Sequence, residues 1–248
     1  MITRKLAGLN TIVTTKDGLA ELMVSDVESY KNNNGKTKLI FSSNGQGISL
    51  YATDMKFKEA MDDADIIHAD GQSVVLASKL LKGSPLPERI ATTDFFHNAA
   101  EFAQKENVSF FFLGATEEDN RRAVENVKNL YPKLIIAGRR NGYFEDSNEI
   151  IREINSSSAD VLWVALGKPR QEFWCVKHRD ELNVAWVKTC GGLFDFLSGK
   201  SPRAPVWMQN FGLEWLFRLL QNPKHLWKRY VVTNPHSFFL LLFKSERK

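Results

Sequence analysis

The strongest indication of fold in this chain is an uninterrupted apolar run, Val161-Leu162-Trp163-Val164-Ala165-Leu166. A second run of the same character is Phe110-Phe111-Phe112-Leu113. Neither run alternates between apolar and polar side chains, so both faces of each strand must be covered, as in a parallel sheet between layers of helices. The two runs therefore predict an α/β protein with a buried, mainly parallel sheet.

Short β-rich runs and amphipathic helical patterns alternate on either side of these two segments. Strands are predicted at residues 38–42, 65–68, 108–113, 134–137, 160–166 and 184–189. Helices are predicted at residues 56–64, 72–81, 94–106, 116–130, 148–155 and 170–183. This alternation is typical of a Rossmann-like fold, in which helices flank the sheet. Ligands of such folds bind at the carboxyl ends of the strands.

The character of the chain changes near Lys200. Residues 1–199 are predicted to form the Rossmann-like domain, and residues 200–248 a basic helical appendage without further strands. Apolar residues at every fourth position predict an apolar stripe along a single helix of the appendage. They are Trp207, Phe211, Trp215 and Leu219.

Charge is distributed unevenly between these two parts. The chain of 248 residues has a formal net charge of +4, but residues 200–248 alone carry +7, which leaves about −3 for the remainder. A basic appendage indicates an anionic partner, either nucleic acid or anionic lipid. Aromatic side chains among the basic ones favour a lipid headgroup surface, and no recognised nucleic-acid motif is present. A solvated basic face over a helical core is the alternative.

Composition and termini narrow the class of protein. Cys175 and Cys190 are the only cysteines and lie outside any metal-ligand spacing, so a reduced cytosolic protein without structural zinc is expected. The N-terminus lacks the apolar segment of a secretion signal. No apolar run approaches the ~18 residues of a membrane span, so any membrane contact is expected to be peripheral.

Four predicted strands run into loops rich in glycine and polar residues. These loops begin at Ser42, His68, Leu166 and Cys190. Each loop alone is explained as an ordinary turn, but carboxyl ends of parallel strands meet at one edge of a sheet. The four loops together predict a pocket at that edge.

Asp70 is the acid of greatest chemical interest, because it follows a predicted strand and precedes a predicted helix. One role for it is a helix N-cap, in which the carboxylate accepts a backbone N–H. The other is a general base that deprotonates an acceptor hydroxyl as the hydroxyl attacks an anomeric carbon.

Several shorter motifs do not indicate a cofactor or a metal. Gly45-Gln46-Gly47 lacks the third glycine of a dinucleotide fingerprint, and the chain has no P-loop. Asp63-Ala64-Asp65 spells a DxD metal motif but lies at the wrong end of the predicted sheet, where solvated helix-end charges are expected. His68 and His97 have no partner at ligand spacing, so structural roles are expected.

An ordered set of motifs from about residue 38 onward resembles the WecG/TagA/CpsF glycosyltransferases, glycosyltransferase family 26. The longest matching segments are residues 169–174, 191–199, and 203–219. Shorter matches are Asp70-Gly71, Glu88-Arg89, Phe112-Leu113-Gly114 and Gly142-Tyr143-Phe144. No single piece is specific, but the ordered combination is.

The resemblance implies an inverting, metal-independent transfer of a sugar from a UDP-sugar to an undecaprenyl-diphosphate-linked saccharide, in bacterial cell-surface polysaccharide synthesis. N-acetylmannosamine or its uronate is the leading donor sugar. Alternatives are a hexosyl transferase of exopolysaccharide synthesis and a non-catalytic nucleotide-binding protein. The resemblance implies no cofactor and a peripheral location on the inner face of the plasma membrane. A homo-oligomer could cover the aromatic side chains of the appendage.

The resemblance also assigns roles to individual residues. Asp70 becomes the catalytic base, and the substrate-binding residues are Ser42, Asn44, Arg89, Gln171 and Asp195. Contacts with the membrane or the diphosphate fall to Arg218, Lys224, Lys228 and Arg229. A guanidinium is suited to a diphosphate because it is permanently charged and bidentate. Amide side chains can both donate to and accept from sugar hydroxyls.

Two positions depart from the family pattern. Thr92 stands where the family usually has glycine in an Arg-x-x-Gly-x-Asp motif that begins at Arg89. Ser42-Ser43-Asn44-Gly45 differs from the commoner Thr-x-Asn-Pro or Thr-x-Asn-Ala loop. A bulkier residue beside Arg89 is compatible with a different donor or acceptor.

Overall fold

A computed structural model describes residues 1–33, 35–81 and 83–245. Its strands are β1 (Thr3–Leu6), β2 (Leu9–Ile12), β3 (Lys38–Ser43), β4 (Ile66–Ala69), β5 (Ser109–Gly114), β6 (Ile135–Arg140), β7 (Val161–Ala165) and β8 (Trp186–Thr189). Its helices are α1 (Lys16–Asn33), α2 (Gly45–Thr53), α3 (Met55–Asp62), α4 (Gln72–Leu80), α5 (Thr92–Glu106), α6 (Glu117–Leu130), α7 (Ser147–Ser156), α8 (Arg170–His178), α9 (Leu193–Leu197), α10 (Val206–Asn210), α11 (Glu214–Gln221) and α12 (Pro223–Phe243). The last three residues of the predicted appendage, 246–248, lie outside the described part of the chain.

The strands form a single sheet in the order β1-β2-β4-β3-β8-β7-β5-β6. Among the strands of the described ranges, only β1 and β2 pair antiparallel, and every other neighbouring pair is parallel. The central strands β5 and β7 are buried along their whole length. The predicted α/β architecture, a mainly parallel sheet flanked by helices, is therefore confirmed.

Helices cover both faces of the sheet and create two apolar cores. One core holds side chains of α2, α3, α4, α7, α8 and α12. The other holds side chains of α1, α5, α6 and α9. Residues along a strand alternate between the two cores, which explains why the apolar runs at β5 and β7 show no polar face.

The structure adds elements that the sequence pattern did not indicate. The hairpin of β1 and β2 and the helix α1 precede the first predicted strand. A loop was expected after β3, but α2 begins there at Gly45, so that expectation was wrong. The reason is a cap: the side chain of Asn44 accepts from the Gly47 N–H at 3.1 Å and starts the helix.

The prediction of one helix carrying an apolar stripe was also wrong. The stripe spans two short helices, α10 and α11, because the chain turns between them at Gly212, which has a φ of +72°. Trp207, Phe211 and Trp215 are all exposed, whereas Leu219 is half-buried.

The last helix, α12, packs its second half on the body of the molecule. His236 Nδ1 and Ser49 Oγ of α2 are 2.9 Å apart, and the Ala7 N–H donates to Ser245 Oγ at 2.9 Å. Leu240 and Leu241 join the same core as α2. This anchoring leaves α11 and the first half of α12 over the carboxyl edge of the sheet. Across the described ranges, no helix has both the length and the apolar character needed to cross a membrane.

Candidate active site

Two adjoining cavities of about 360 and 300 Å³ lie at the carboxyl edge of the sheet. Both are lined by residues of the body and of the C-terminal helices. The shared lining residues are Asn44, Gln46, Asp70, Glu214, Arg218 and Arg229. The pocket expected from the strand ends is present, and α11 and α12 form its outer wall.

Asp70 lies where β4 ends, with its carboxylate held by two donors. The Thr92 N–H at the start of α5 donates to Oδ1 at 3.2 Å, and Asn44 Nδ2 donates to Oδ2 at 3.3 Å. The helix that directly follows Asp70, α4, has Gly71 as its N-cap and no side-chain cap. The carboxylate therefore caps α5 instead of α4, and both contacts fix its direction toward the cavity.

Ser42 and Gln171 form the inner wall of the smaller cavity. Gln171 is buried; its Oε1 accepts from the Gly191 N–H at 3.0 Å, and its Nε2 donates to Glu172 Oε1 at 2.9 Å. This amide therefore connects the first turn of α8 with the loop after β8. Lys168 Nζ donates to the Ser42 carbonyl at 3.1 Å and pairs with Glu172 at 3.1 Å.

Arg89 lines the larger cavity, but acidic partners already neutralise its guanidinium. It pairs with Glu214 at 3.0 Å and with Asp94 at 3.3 Å. Arg203 pairs with the same two carboxylates, at 3.0 and 2.7 Å. Gln209 Oε1 accepts from both arginines. The network joins α5 to α10 and α11, and in this arrangement Arg89 positions the C-terminal helices.

Arg218 and Arg229 are placed differently. Within the described ranges neither guanidinium has an ion-pair or hydrogen-bond partner, and Arg229 Nε is buried. Arg218 lies over the Phe196 ring at 5.4 Å. Burial lowers the pKa of Arg229, and the neighbouring charge of Arg218 lowers it further. Two unpaired cations at one cavity suit a doubly charged anion such as a diphosphate.

Three other predicted site residues lie outside the lining of both cavities. Asp195, on α9, is partly exposed and lies 3.5 Å from Lys200 Nζ. Lys224 and Lys228 are exposed on the first half of α12. The cavities thus bring together Ser42, Asn44, Asp70, Arg89, Gln171, Arg218 and Arg229.

The DxD sequence takes part in structure at the opposite end of the sheet. Asp65 Oδ2 accepts from the Leu39 N–H at 2.7 Å and pairs with Arg179 at 2.8 Å. The Asp63 carbonyl accepts from the same arginine. Among the described residues, no cluster of three or more His, Cys, Asp and Glu side chains is placed to hold a metal ion.

Sequence reasoning missed several residues that shape the site. Arg203, Gln209 and Glu214 complete the network around Arg89, and no spacing in the sequence indicates that they meet. Lys188 is fully buried in β8. The sequence does contain one sign of this residue: Lys188 is the single charged side chain in the predicted strand 184–189.

Comparison with known proteins identifies a family of glycosyltransferases. The family model described as "Glycosyl transferase WecG/TagA/CpsF family" matches residues 4–248. Three similar relatives bear the name N-acetylglucosaminyldiphosphoundecaprenol N-acetyl-beta-D-mannosaminyltransferase. A Bacillus spizizenii protein is 36% identical over 83% of this chain and 79% of its own length. A Bacillus subtilis protein is 32% identical over 79% and 75%, and a Staphylococcus aureus protein 28% over 84% and 80%.

The family match covers nearly the whole chain, including both the strand-end loops and the C-terminal helices that enclose the cavities. The chain therefore belongs to the WecG/TagA/CpsF family and is a glycosyltransferase.

Proposed function

We propose that this enzyme transfers a sugar from a UDP-sugar to an undecaprenyl-diphosphate-linked saccharide in cell-surface polysaccharide synthesis. The relatives' names describe mannosaminyl transfer to N-acetylglucosaminyl diphosphoundecaprenol, which makes N-acetylmannosamine the leading donor sugar. The observation that carries the proposal is the meeting of one carboxylate, Asp70, with two unpaired guanidiniums, Arg218 and Arg229, at one cavity.

Asp70 acts as the general base. Its carboxylate takes the proton of the acceptor hydroxyl while the hydroxyl oxygen forms a bond to the anomeric carbon of the donor. The bond between that carbon and the diphosphate breaks on the opposite face, so the configuration inverts and UDP leaves. The two contacts to Asp70, from the Thr92 N–H and from Asn44, support this role because they direct its carboxylate into the cavity.

Arg218 and Arg229 stabilise the negative charge that develops on the leaving diphosphate. Fixed charges aimed at a developing charge in a partly desolvated cavity are among the largest contributions to catalysis. Arg89 acts indirectly, since its charge is shared with Glu214 and Asp94 and its role is to hold α11 in place. Gln171 and Asn44 provide amides at the wall for sugar hydroxyls.

Residues 200–248 serve as the membrane-docking appendage in this proposal. Exposed aromatic side chains lie close in sequence to exposed lysines on α12, among them Trp227 with Lys224 and Lys228. Trp suits the headgroup layer and lysine is attracted to anionic lipid. A peripheral position on the inner face of the membrane would bring the cavity to a lipid-linked acceptor. Association with a second copy would cover the same aromatic side chains.

The test is a panel of nucleotide sugars with a polyprenyl-diphosphate-linked N-acetylglucosamine acceptor, in the presence of EDTA, with mass spectrometry of the lipid product. We expect UDP release and a product heavier by one N-acetylhexosamine when UDP-N-acetylmannosamine is the donor. A hexose product would favour the hexosyl transferase, and UDP binding without turnover across the panel would favour the non-catalytic alternative.

A further inference from the structure

The two adjoining cavities differ in the side chains that line them. The smaller cavity is lined mostly by glycines and polar residues of the strand-end loops and of the helix starts that follow them, among them Ser42 and Gln171. Three aromatic residues of the C-terminal helices, Trp215, Tyr230 and Phe238, belong to the lining of the larger cavity alone. The larger cavity therefore has an apolar side that suits a lipid-linked molecule.

Contacts between the surrounding helices close the larger cavity along three borders. Between α2 and α12, a Cβ on Gly45 would lie 3.1 Å from Ser237 Oγ. Between α4 and the turn before α11, a Cβ on Gly212 would lie 3.3 Å from a side chain at the start of α4. Between α11 and α12, the ring centroids of Trp215 and Tyr230 are 5.7 Å apart. Within the described ranges, these contacts leave the border between α4 and α12.

This fourth border is formed by Ser73 of α4 and Phe238 of α12. Both residues line the larger cavity, and both are exposed, Phe238 to 58%. Beneath them, Val74 and Leu241 of the same two helices belong to one buried core. The larger cavity therefore opens to the protein surface between α4 and α12, beside the ring of Phe238.

Apolar side chains continue from this opening along both helices. Leu76 and Leu80 follow Ser73 by three and seven residues, so they lie on the same side of α4, where they are 47% and 76% exposed. On α12, the exposed Val231 lies two turns before Phe238 and shares its side. Single exposed apolar residues are ordinary, but a set of them at the mouth of a cavity indicates a ligand or partner. We name this set the exit strip: Leu76, Leu80, Val231 and Phe238.

The covalent structure of the acceptor decides which of its ends must reach the surface. Its reacting hydroxyl must meet Asp70, whereas its polyprenyl chain must leave the protein. Arg218 and Arg229 line both cavities, so they border the phosphates of either substrate. Phe238 lies nine residues after Arg229, about 13 Å along the axis of α12. The larger cavity thus combines a carboxylate, two cations and an apolar opening.

We propose that the exit strip is the subsite for the first isoprene units of the acceptor lipid. The acceptor occupies the larger cavity, the donor occupies the smaller one, and the polyprenyl chain leaves between α4 and α12. The inference rests on the proposed function, because it requires a polyprenyl-diphosphate-linked acceptor. Trp227, one turn before Val231, extends the exit strip to the part of α12 proposed to dock on the membrane.

The test is sugar transfer by the full chain to N-acetylglucosaminyl diphosphates that carry a methyl group or one, two or three isoprene units. The acceptors are used below their micelle concentrations, without detergent or vesicles, so that membrane docking contributes nothing. Each CH₂ buried on the exit strip should improve recognition by about fourfold. We expect kcat/KM for the three-unit acceptor to exceed that for the methyl acceptor by about 10²-fold. A ratio within about threefold of unity would overturn the inference.

The double variant Leu76→Gln with Leu80→Gln locates the effect. It should lower the ratio between the three-unit and methyl acceptors to about 10 or less, because apolar contact is lost at exposed positions that tolerate substitution. Damage to the fold would lower both rates in parallel and keep the ratio. Leu130→Gln, an exposed position on α6, is the matched control and should also keep it. An unchanged ratio in the double variant of a well-folded protein would contradict the exit strip.

A labelling experiment reads the subsite without turnover. Geranyl diphosphate with a diazirine on its terminal carbon should, on illumination, label α4 and residues 231–243, as mapped by mass spectrometry of peptides. Labelling confined to the loops of the smaller cavity would overturn the inference. If instead no acceptor of the series receives sugar from any nucleotide donor, the proposed function fails, whatever the site of labelling. The two failures are therefore distinguishable.

Discussion

The arginines around the cavity divide into two kinds by their partners. Arg89 and Arg203 share Asp94 and Glu214, so their charge is used within the protein. Arg218 has aromatic contact but no acidic partner within the described ranges. The unpaired arginines are those available to a substrate phosphate.

Arg218→Gln should therefore lower kcat/KM for the donor by about 10²-fold, because a charge aimed at the leaving diphosphate is lost. Steady-state kinetics with a short-chain acceptor in detergent would measure this without a contribution from membrane docking. Arg152→Gln, an exposed position on α7, is the matched loss of one arginine and should leave kcat/KM unchanged. Equal effects of the two substitutions would rule out a specific role for Arg218.

Lys188, which is fully buried in β8, affects how the stability of the protein depends on pH. Because its pKa falls from an ordinary 10.5 to about 8 in the folded protein, the unfolded state binds more protons between these values. The free energy of unfolding should rise with pH in that window. Below the window it is reduced by the full cost of burying the charged lysine. Lys188→Met should remove the penalty and raise the free energy of unfolding at pH 7 by up to about 3 kcal/mol. Urea denaturation at pH 7 and pH 10 would show this, and a decrease at pH 7 would contradict it.

Single site residues could be predicted from the sequence where they follow apolar strands. Asp70 follows β4 directly and Gln171 lies in the first turn of α8, just after the loop that follows β7, and parallel pairing brings these strand ends to one edge. The state of Arg89 could not be predicted, because its partner Glu214 lies 125 residues away along the chain. Only the folded arrangement shows that its charge is already shared.

At the scale of elements, one ionic network joins the body to the C-terminal helices. Arg89 precedes α5, Glu214 begins α11, and Arg203 lies in the connection between α9 and α10. The shared carboxylates are only partly exposed, so these pairs are stronger than ordinary surface pairs. The network fixes the position of α11, and with it Arg218.

A double-mutant cycle with Arg89→Met and Glu214→Gln tests this positioning role. If Arg89 acts through Glu214, the two substitutions should be non-additive in kcat/KM, with a coupling of roughly 0.5–3 kcal/mol. If Arg89 instead binds the diphosphate directly, its removal should weaken donor binding by the same factor whether or not Glu214 is present. Isothermal titration of UDP into the four proteins, alongside the kinetics, separates these results.

The central strands and the helices after them could be predicted because their patterns are long and uniform. Strand β1 has only four residues, three of them polar or charged, and α1 carries a mixed pattern, so neither stands out in the sequence. Helix α2 could not be predicted because it begins with glycines, which are typical of loops. Here they follow the capping side chain of Asn44. Gly45 has a packing reason: a Cβ there would lie 3.1 Å from Ser237 Oγ of α12.

At the scale of the whole molecule, an acidic body carries a basic, aromatic C-terminal region that also closes the two cavities. The uneven charge is evident in the sequence. The closure is not, because it depends on α12 packing against α2 across the chain. One surface therefore combines access to the cavity with the residues suited to a membrane.

Reversal of the charge at Lys224 and Lys228 together should weaken binding to anionic vesicles. Each lysine near such a surface contributes about 1 kcal/mol, so the double Lys→Glu variant should partition at least about 10-fold less well. Sedimentation with phosphatidylglycerol vesicles measures this, with neutral phosphatidylcholine vesicles as reference. The control is Lys128→Glu with Lys177→Glu, on the body. A loss of binding of the same size in that control would assign the effect to overall charge.

The most direct test of the account is single-turnover transfer by wild type and Asp70→Asn, from UDP-N-acetylmannosamine to a polyprenyl-diphosphate-linked N-acetylglucosamine. UDP affinity is measured on the same samples. We expect unchanged UDP affinity and a loss of transfer of about 10³-fold, because the amide keeps the shape of the carboxylate but cannot accept the acceptor's proton. Transfer by Asp70→Asn within about threefold of wild type would show that Asp70 is not the base.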